Sequence, residues 1–166
     1  MKKYKVKLCG TTSIESAKMA IDARADYIGV LVNVGISERS LNVEQAKAIV
    51  NFSKIPVMTL LYNMSVDEIC HIYNEIKPYG VHLLGNTPVE NVSELRKKLD
   101  CHIWLTVYLP AKDQGEVDVG HIKELMKNYK LAGADKIVID TISKGRYGGT
   151  GKTADWDIAK DLVKSV

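Results

Sequence analysis

The sequence of 166 residues has few features of a membrane, nucleic-acid-binding or disulfide-bonded protein. No apolar run approaches the roughly 18 residues that a membrane-spanning helix needs. Its three cysteines are an odd, widely spaced set, which indicates reduced thiols rather than a disulfide framework. The net charge is only +3 and the basic residues are dispersed, so neither nucleic acid nor a membrane surface is an expected partner. Lysines near the start have no apolar signal core behind them, and we therefore expect a cytoplasmic protein.

The composition is that of one soluble globular domain, with 46% hydrophobic and 26% charged residues. Short apolar runs alternate with amphipathic stretches of helical period. The apolar runs predict strands at 4–9, 26–32, 56–61, 79–84, 101–108 and 135–140. The helical patterns cover 13–24, 43–53, 65–76, 88–99, 118–131 and 155–164.

Six consecutive strand–helix units predict a parallel sheet, because each helix carries the chain back to start the next strand in the same direction. Asn42 and Ser65 suit helix N-caps, with Gln45 and Glu68 in the capping-box position. No linker divides the chain, so residues 1–166 are predicted to form a single domain. Such a repeat closes as an eight-stranded barrel or remains an open doubly wound sheet, and the pattern alone does not choose.

Cys9 closes the first predicted strand, and both architectures bind ligands at the carboxyl ends of their strands. Period two places Cys9 on the same face as Lys5 and Lys7, toward the barrel axis. The thiol is either a thiolate favoured by the N-terminus of the next helix or a small buried hydrophobe. The opposite face is apolar and should pack on helices: Tyr4, Val6 and Leu8.

Asp140 closes the sixth predicted strand, in phase with Val138. A carboxyl group that ends an apolar strand is costly to bury unless it is hydrogen-bonded or used. A buried carboxyl group at this position suits a general acid. The alternative is a cap that binds backbone amides of the following loop.

The loop at 141–153 has three glycines within four positions. It can present backbone amides to an anion or act as a hinged lid, and an ordinary flexible loop is the alternative. It is not a nucleotide-binding P-loop, because arginine occupies the position of the first motif glycine. The three glycines and the threonine among them are Gly148, Gly149, Thr150 and Gly151.

Arg39, in the loop after the second strand, offers a guanidinium fork for a carboxylate or phosphate, unless it is an ordinary surface arginine. His82 either faces the site or is a satisfied core histidine. The two Cys-His pairs at 70–71 and 101–102 lack the spacing of a chelate, so we expect no metal site.

Four segments at predicted strand ends carry recognisable motifs. Residues 7–12 read KLCGTT, residues 25–30 read ADYIGV and residues 37–40 read SERS. An Asp-Thr pair at 140–141 is followed by YGGTGKTADW at 147–156. In this order they resemble the KICGIT, ADxxGF, S-x-R and D-T…GGTGxxFDW motifs of the phosphoribosylanthranilate isomerases of tryptophan biosynthesis.

This resemblance implies an α/β fold of the (β/α)8 TIM-barrel type and the Amadori rearrangement of N-(5′-phosphoribosyl)anthranilate, a small phosphorylated substrate. It implies that Cys9 is the general base and Asp140 the general acid, which suits a reaction with proton transfers at two different atoms. It also implies that Arg39 holds the anthranilate carboxylate and that the glycine loop closes over the substrate. No metal or organic cofactor is then needed. Both a monomer and a homo-oligomer agree with the resemblance.

Three features depart from the family pattern. Residues 82–85 read HLLG where the family has QLHG, so Leu84 stands in the place of the histidine. Ala154 replaces the phenylalanine of the FDW motif, and the unit after the fifth strand is longer. The alternative is therefore a divergent or non-catalytic member that binds a phosphorylated ligand. Another sugar-phosphate isomerase or an aldolase-like barrel is a third possibility, although no lysine at a strand end suits a Schiff base.

Six strand–helix units are two fewer than a closed barrel has, and such barrels usually need at least about 200 residues. We therefore expect the last two units to be lacking from these 166 residues. Their loops commonly bind phosphate in this fold. The sequence is then either a piece of a longer protein or a truncated relative that recruits another chain.

Overall fold

The computed structural model describes residues 4–147 and 149–165 and contains the six predicted strand–helix units. The strands are β1 (Lys7–Cys9), β2 (Tyr27–Val32), β3 (Ser40–Leu41), β4 (Val57–Tyr62), β5 (Gly80–Leu84), β6 (His102–Pro110), β7 (Lys136–Ser143) and β8 (Arg146–Tyr147). The helices are α1 (Ile14–Asp22), α2 (Val43–Phe52), α3 (Val66–Ile76), α4 (Val89–Lys98), α5 (Val119–Leu131) and α6 (Trp156–Lys164). The twelve predicted elements are confirmed, with only their ends displaced.

Side-chain caps fix where the first three helices begin. Ser13, Asn42 and Ser65 each accept a hydrogen bond from the backbone N–H three residues later. In each case the side chain of that later residue accepts a hydrogen bond from the backbone N–H of the cap residue, so each start is a complete capping box. The predicted caps Asn42 and Ser65 are confirmed.

The order of the long strands decides between the two architectures. They lie in chain order, β1-β2-β4-β5-β6-β7, and each pair is parallel. A doubly wound sheet reverses its strand order at a switch point, whereas a TIM barrel does not. The fold is therefore of the TIM-barrel type, as predicted. Two short strands are additions to the sequence prediction: β3 pairs with β2, and β8 pairs antiparallel with β7.

The sheet curls around a small interior cluster. Side chains from distant strands meet there: the ammonium of Lys136 on β7 lies 4.8 Å from the ring centroid of Tyr27 on β2. A larger core fills the space between the outer face of the sheet and the helices. Because all long strands are parallel, the curvature brings their carboxyl ends to one rim. The interior cluster consists of Tyr27, Leu31, Val34, Met58, Leu60 and Trp104.

The sheet is open between β1 and β7 within the described ranges 4–147 and 149–165. The outer side chains of β1 and of the residues before it are consequently exposed, with 72% for Tyr4, 50% for Val6 and 42% for Leu8. The prediction that these three residues pack on helices is wrong, because β1 is an edge strand. Over the same residues, no helix has both the length and the apolarity to cross a membrane.

Candidate active site

Cys9 lies at the carboxyl end of β1, where its thiol is exposed. Its register partner on β2 is Gly29. A Cβ on that glycine would lie 3.3 Å from the sulfur, so the absence of a side chain at Gly29 leaves room for the thiol. Cys9 is therefore not a buried hydrophobe but a free thiol that is accessible to solvent.

Arg39 reaches the end of β1 from the loop before β3. Its Nη1 donates a hydrogen bond to the carbonyl oxygen of Cys9 at 3.5 Å. The guanidinium occupies the space where a side chain on Gly10 would lie, and the positive φ of +85° at that residue also favours glycine. Pairing of β3 with β2 holds this loop against the sheet. The structure thus brings the predicted Arg39 and Cys9 together.

Asp140 stands on β7 beside Tyr108 of β6, its register partner. Its Oδ1 accepts a hydrogen bond of 2.7 Å from the backbone N–H of Thr141. Two expectations for this residue are wrong. The strand continues to Ser143, because residues 141–142 pair with β6, and the side chain is exposed rather than buried. Asp140 therefore projects at the rim before the strand ends.

The glycine loop begins as a hairpin that the sequence prediction missed. Lys144 and Gly145 both have positive φ, 48° and 74°, as a two-residue turn between antiparallel strands requires. The turn places the Tyr147 ring edge-on to two other tyrosines at the rim. The ring centroids are 4.8 Å from Tyr108 and 5.8 Å from Tyr62. The start of the loop therefore covers the carboxyl ends of β4 and β6.

The predicted anion-binding residues of this loop are only partly described. Gly148 lies outside the described residues. Gly149 and Gly151 have φ of 57° and 67° and open space around them, as glycines of a ligand-facing loop can. The hydroxyl of Thr150 accepts a hydrogen bond of 3.2 Å from the backbone N–H of Lys152.

The long segment after β6 holds the far end of the glycine loop. Lys152 Nζ lies 3.0 Å from a carboxylate oxygen of Asp113, and the N–H of Lys112 donates to the carbonyl of Thr153 at 3.0 Å. Ala154 forms an isolated antiparallel bridge within the same contact. The extra residues of this long unit thus hold the glycine loop at the rim.

His82 is a buried core histidine below the rim, with 3% of its surface exposed. Nδ1 lies 2.7 Å from the ammonium of Lys7, and Nε2 lies 2.8 Å from the hydroxyl of Thr106. Burial and the nearby ammonium lower the pKa of His82 to about 3, so the ring is neutral near pH 7. The neutral ring accepts a hydrogen bond from the ammonium of Lys7 at Nδ1 and donates its Nε2–H to the hydroxyl of Thr106. This network was not predicted from the sequence.

Acid should destabilise the protein through His82. Unfolding restores its ordinary pKa near 6.5, so below that pH the unfolded chain binds a proton that the folded chain excludes. The free energy of unfolding should therefore fall by about 2 kcal/mol between pH 7 and pH 5 from this group alone. Urea denaturation at the two pH values measures the loss.

His82→Gln and His121→Gln separate this effect from other titrations. Glutamine can replace both hydrogen bonds of His82 without titrating. His121 is an exposed histidine on α5, and its replacement should leave the acid destabilisation as it is. If the free energy of unfolding falls by the same amount between pH 7 and pH 5 in His82→Gln as in the unchanged protein, His82 does not cause the acid destabilisation.

A groove lies on the outer face of the sheet at the β7 edge. This groove of about 590 Å³ runs between β7 and α6 and ends near Asp140. Its walls are mostly apolar and include Ile137, Ile139 and Val163. The inward-facing Cys9 and the Arg39 loop are not among its lining residues. We therefore locate the candidate site at the inner rim rather than in the groove.

Comparison with known proteins identifies a family. The profile of the N-(5'phosphoribosyl)anthranilate (PRA) isomerase family matches residues 6–166. An N-(5'-phosphoribosyl)anthranilate isomerase from Methanocella arvoryzae is 29% identical over 164 residues, which are 98% of this chain and 73% of that protein.

Solved structures agree on the fold. Phosphoribosyl anthranilate isomerase from Thermococcus kodakaraensis superposes with a TM-score of 0.78 at 19% identity, over 98% of this chain and 74% of that one. A phosphoribosyl anthranilate isomerase in complex with reduced 1-(o-carboxyphenylamino)-1-deoxyribulose 5-phosphate gives a TM-score of 0.60 at 17% identity, over 97% of each chain. With a matching family profile from residue 6 to residue 166, this chain belongs to the N-(5'-phosphoribosyl)anthranilate isomerase family.

Proposed function

We propose that this protein isomerises N-(5′-phosphoribosyl)anthranilate to 1-(2-carboxyphenylamino)-1-deoxyribulose 5-phosphate in tryptophan biosynthesis. The observation that carries the proposal is the rim, where Arg39 binds the backbone carbonyl of Cys9, the Cys9 thiol is exposed, and the Asp140 carboxyl stands at the same end of the sheet. Family membership and a related complex with a reduced form of this product support the same substrate. Free cysteines are consistent with a cytoplasmic location.

Asp140 acts first, as the general acid at the ring oxygen of the ribose. The carboxyl proton passes to that oxygen, and the bond between the oxygen and C1′ breaks. The lone pair of the anilino nitrogen forms a double bond to C1′. The product of this step is a protonated imine, which makes the hydrogen on C2′ acidic.

Cys9 acts second, as the general base at C2′. The thiolate takes the C2′ proton, and the electrons left behind form a C1′–C2′ double bond while the imine becomes an amine. The resulting enol becomes the C2′ ketone when C1′ takes up a proton. C2′ is oxidised and C1′ reduced within one molecule. Because the protein only moves protons, the reaction needs no metal or organic cofactor.

The two ends of the substrate are anionic, and the rim offers a group for each. Arg39 binds the anthranilate carboxylate, since a guanidinium fork matches a carboxylate in two hydrogen bonds. The glycine loop, with Gly148, Gly149, Thr150 and Gly151, closes over the substrate and offers backbone amides to its phosphate. Both roles follow from the residue types and from the family motifs.

The test of the proposal is turnover of freshly prepared N-(5′-phosphoribosyl)anthranilate. We expect its fluorescence to disappear faster with the protein than in buffer, and chromatography to identify the carboxyphenylamino-deoxyribulose phosphate as product. A calorimetric titration with the borohydride-reduced product distinguishes the alternative of a binding-only relative. Tight binding without turnover favours that alternative, and the absence of both turnover and binding contradicts the two functions together.

Arg39→Ala should raise KM by about 10- to 100-fold with a smaller change in kcat, because it removes a charge-assisted hydrogen-bonding group of roughly 1.5–3 kcal/mol. Steady-state kinetics of the fluorescence loss give both constants. Arg39→Lys is the matched variant: it keeps the charge but loses the fork, so its KM should lie between the other two. An unchanged KM in Arg39→Ala would remove this residue from the substrate site.

A further inference from the structure

A tyrosine stands on the strand next to the proposed acid at the rim. Tyr108 and Asp140 are register partners on neighbouring parallel strands, so their side chains project on the same face. Burial raises the pKa of Tyr108, and the carboxylate of Asp140 contributes in the same direction. None of the family motifs quoted above includes residue 108.

The Tyr108 hydroxyl is held at a fixed place. Its oxygen accepts a hydrogen bond of 3.2 Å from the backbone N–H of Gly85, just after the end of β5. The ring also lies edge-on to Tyr147, with centroids 4.8 Å apart. The end of β5 therefore holds the hydroxyl, and the glycine loop holds the ring.

The hydroxyl proton remains available for donation. The hydrogen bond from Gly85 uses an oxygen lone pair and does not use the O–H proton. Hydrogen bonding with the side chain of Thr106 lowers the pKa of the phenol, as a bond accepted by the tyrosine oxygen does. The tyrosine is half-buried, and this burial is the main cause that raises the pKa of its phenol above the ordinary value. At neutral pH the group is a neutral hydrogen-bond donor.

Resting on the proposed function, we infer that Tyr108 is a further catalytic residue, whose hydroxyl donates a hydrogen bond to the ribose ring oxygen while Asp140 protonates it. Negative charge builds on this oxygen as its bond to C1′ breaks, and a fixed donor stabilises that charge most in the transition state. The donated hydrogen bond therefore assists the ring-opening step.

Tyr108→Phe tests this role because it keeps the ring and its packing on Tyr147. We expect kcat to fall by about 10- to 100-fold while KM changes by less than about threefold, since the lost hydrogen bond strengthens in the transition state. Tyr129→Phe is the matched control, because the hydroxyl of Tyr129 on α5 is also hydrogen-bonded to the backbone, where it donates to the carbonyl of Thr87 at 2.6 Å. This control should lose stability without losing activity.

A double-mutant cycle with Asp140→Asn distinguishes catalysis from structural support. Both groups act on one oxygen, which carries more negative charge when no acid protonates it, so Tyr108→Phe should slow the Asp140→Asn protein more than it slows the unchanged protein. Tyr129→Phe should have the same small effect in both backgrounds. Equal fold losses from Tyr108→Phe in both backgrounds, or a kcat within about threefold of the unchanged protein, overturn the inference.

The unchanged protein is measured first in the same assay. If it turns over while Tyr108→Phe is fully active, only the role of Tyr108 is wrong. If the unchanged protein neither turns over the substrate nor binds the reduced product, the proposed function fails and the role of Tyr108 fails with it.

Discussion

Replacing Cys9 by serine is expected to lower kcat by about 10³-fold, within the range that general acid–base groups contribute. A serine hydroxyl has nearly the size of a thiol but is a much weaker acid, so it is scarcely ever in the basic form near neutral pH. The Cys9 side chain is exposed, and its replacement removes no core packing. Circular dichroism and thermal unfolding should therefore be unchanged, and steady-state kinetics measure the loss.

The other two cysteines supply controls for this result. Burial raises the pKa of the Cys101 thiol to about 11 and also raises the pKa of Cys70. Iodoacetamide should therefore inactivate the protein by alkylating Cys9, with slower reaction at these two positions. Cys70→Ser should keep full activity. If Cys9→Ser retains the rate of the unchanged protein, another group takes the C2′ proton.

Asp140→Asn is expected to cause a loss of similar size, about 10³-fold in kcat. The amide cannot deliver a proton to the ring oxygen, although it has the shape of the carboxyl group. Its oxygen can still accept the hydrogen bond that the N–H of Thr141 gives Asp140, so the backbone at the rim should stay in place. Binding of the reduced product should consequently change far less than kcat.

Asp161→Asn is the control for the removal of a carboxylate. Asp161 lies on α6, exposed, where it pairs with Lys123 at 2.7 Å, and it has no part in the rim. Its replacement should leave kcat unchanged. A kcat for Asp140→Asn close to that of Asp161→Asn would mean that ring opening uses a different acid.

The fold was predictable because its signals are local. Each strand is a short apolar run, each helix has an amphipathic period, and Asn42 and Ser65 mark helix starts by their own chemistry. The two-residue strands β3 and β8 were missed, since so short a pairing carries no periodicity. The Lys144-Gly145 pair was a usable signal for the β8 hairpin, because glycine readily adopts the positive φ of that turn.

The candidate site was predictable where a motif lies at or near the carboxyl end of a strand or in the loop that follows, as for Cys9, Asp140 and Arg39. The contact between Arg39 and the end of β1 depends on the pairing of β3 with β2. The sequence therefore predicted Arg39 as a site residue but not its contact with Cys9. The place of Tyr108 beside Asp140 depends on the register of β6 and β7. Register follows from the tertiary packing of the whole sheet and is not contained in the pattern of a single strand.

Exposure was the least predictable property. The outer side chains of β1 and the carboxyl of Asp140 lie on the two strands that flank the opening of the sheet. A strand in the middle of a parallel sheet is covered on both faces, and the continuous apolar run at 137–139 in β7 is typical of such a strand. Their position at the opening, rather than their composition, leaves these groups accessible to solvent.

The decisive comparison is the rate of loss of N-(5′-phosphoribosyl)anthranilate fluorescence with the unchanged protein and with the Cys9→Ser, Asp140→Asn double variant at equal concentration. We expect the unchanged protein to accelerate the loss and to form the ketose product, and the folded double variant to match the rate in buffer. Acceleration that survives in the double variant, or its absence from the unchanged protein, would contradict an acid–base pair formed by Cys9 and Asp140.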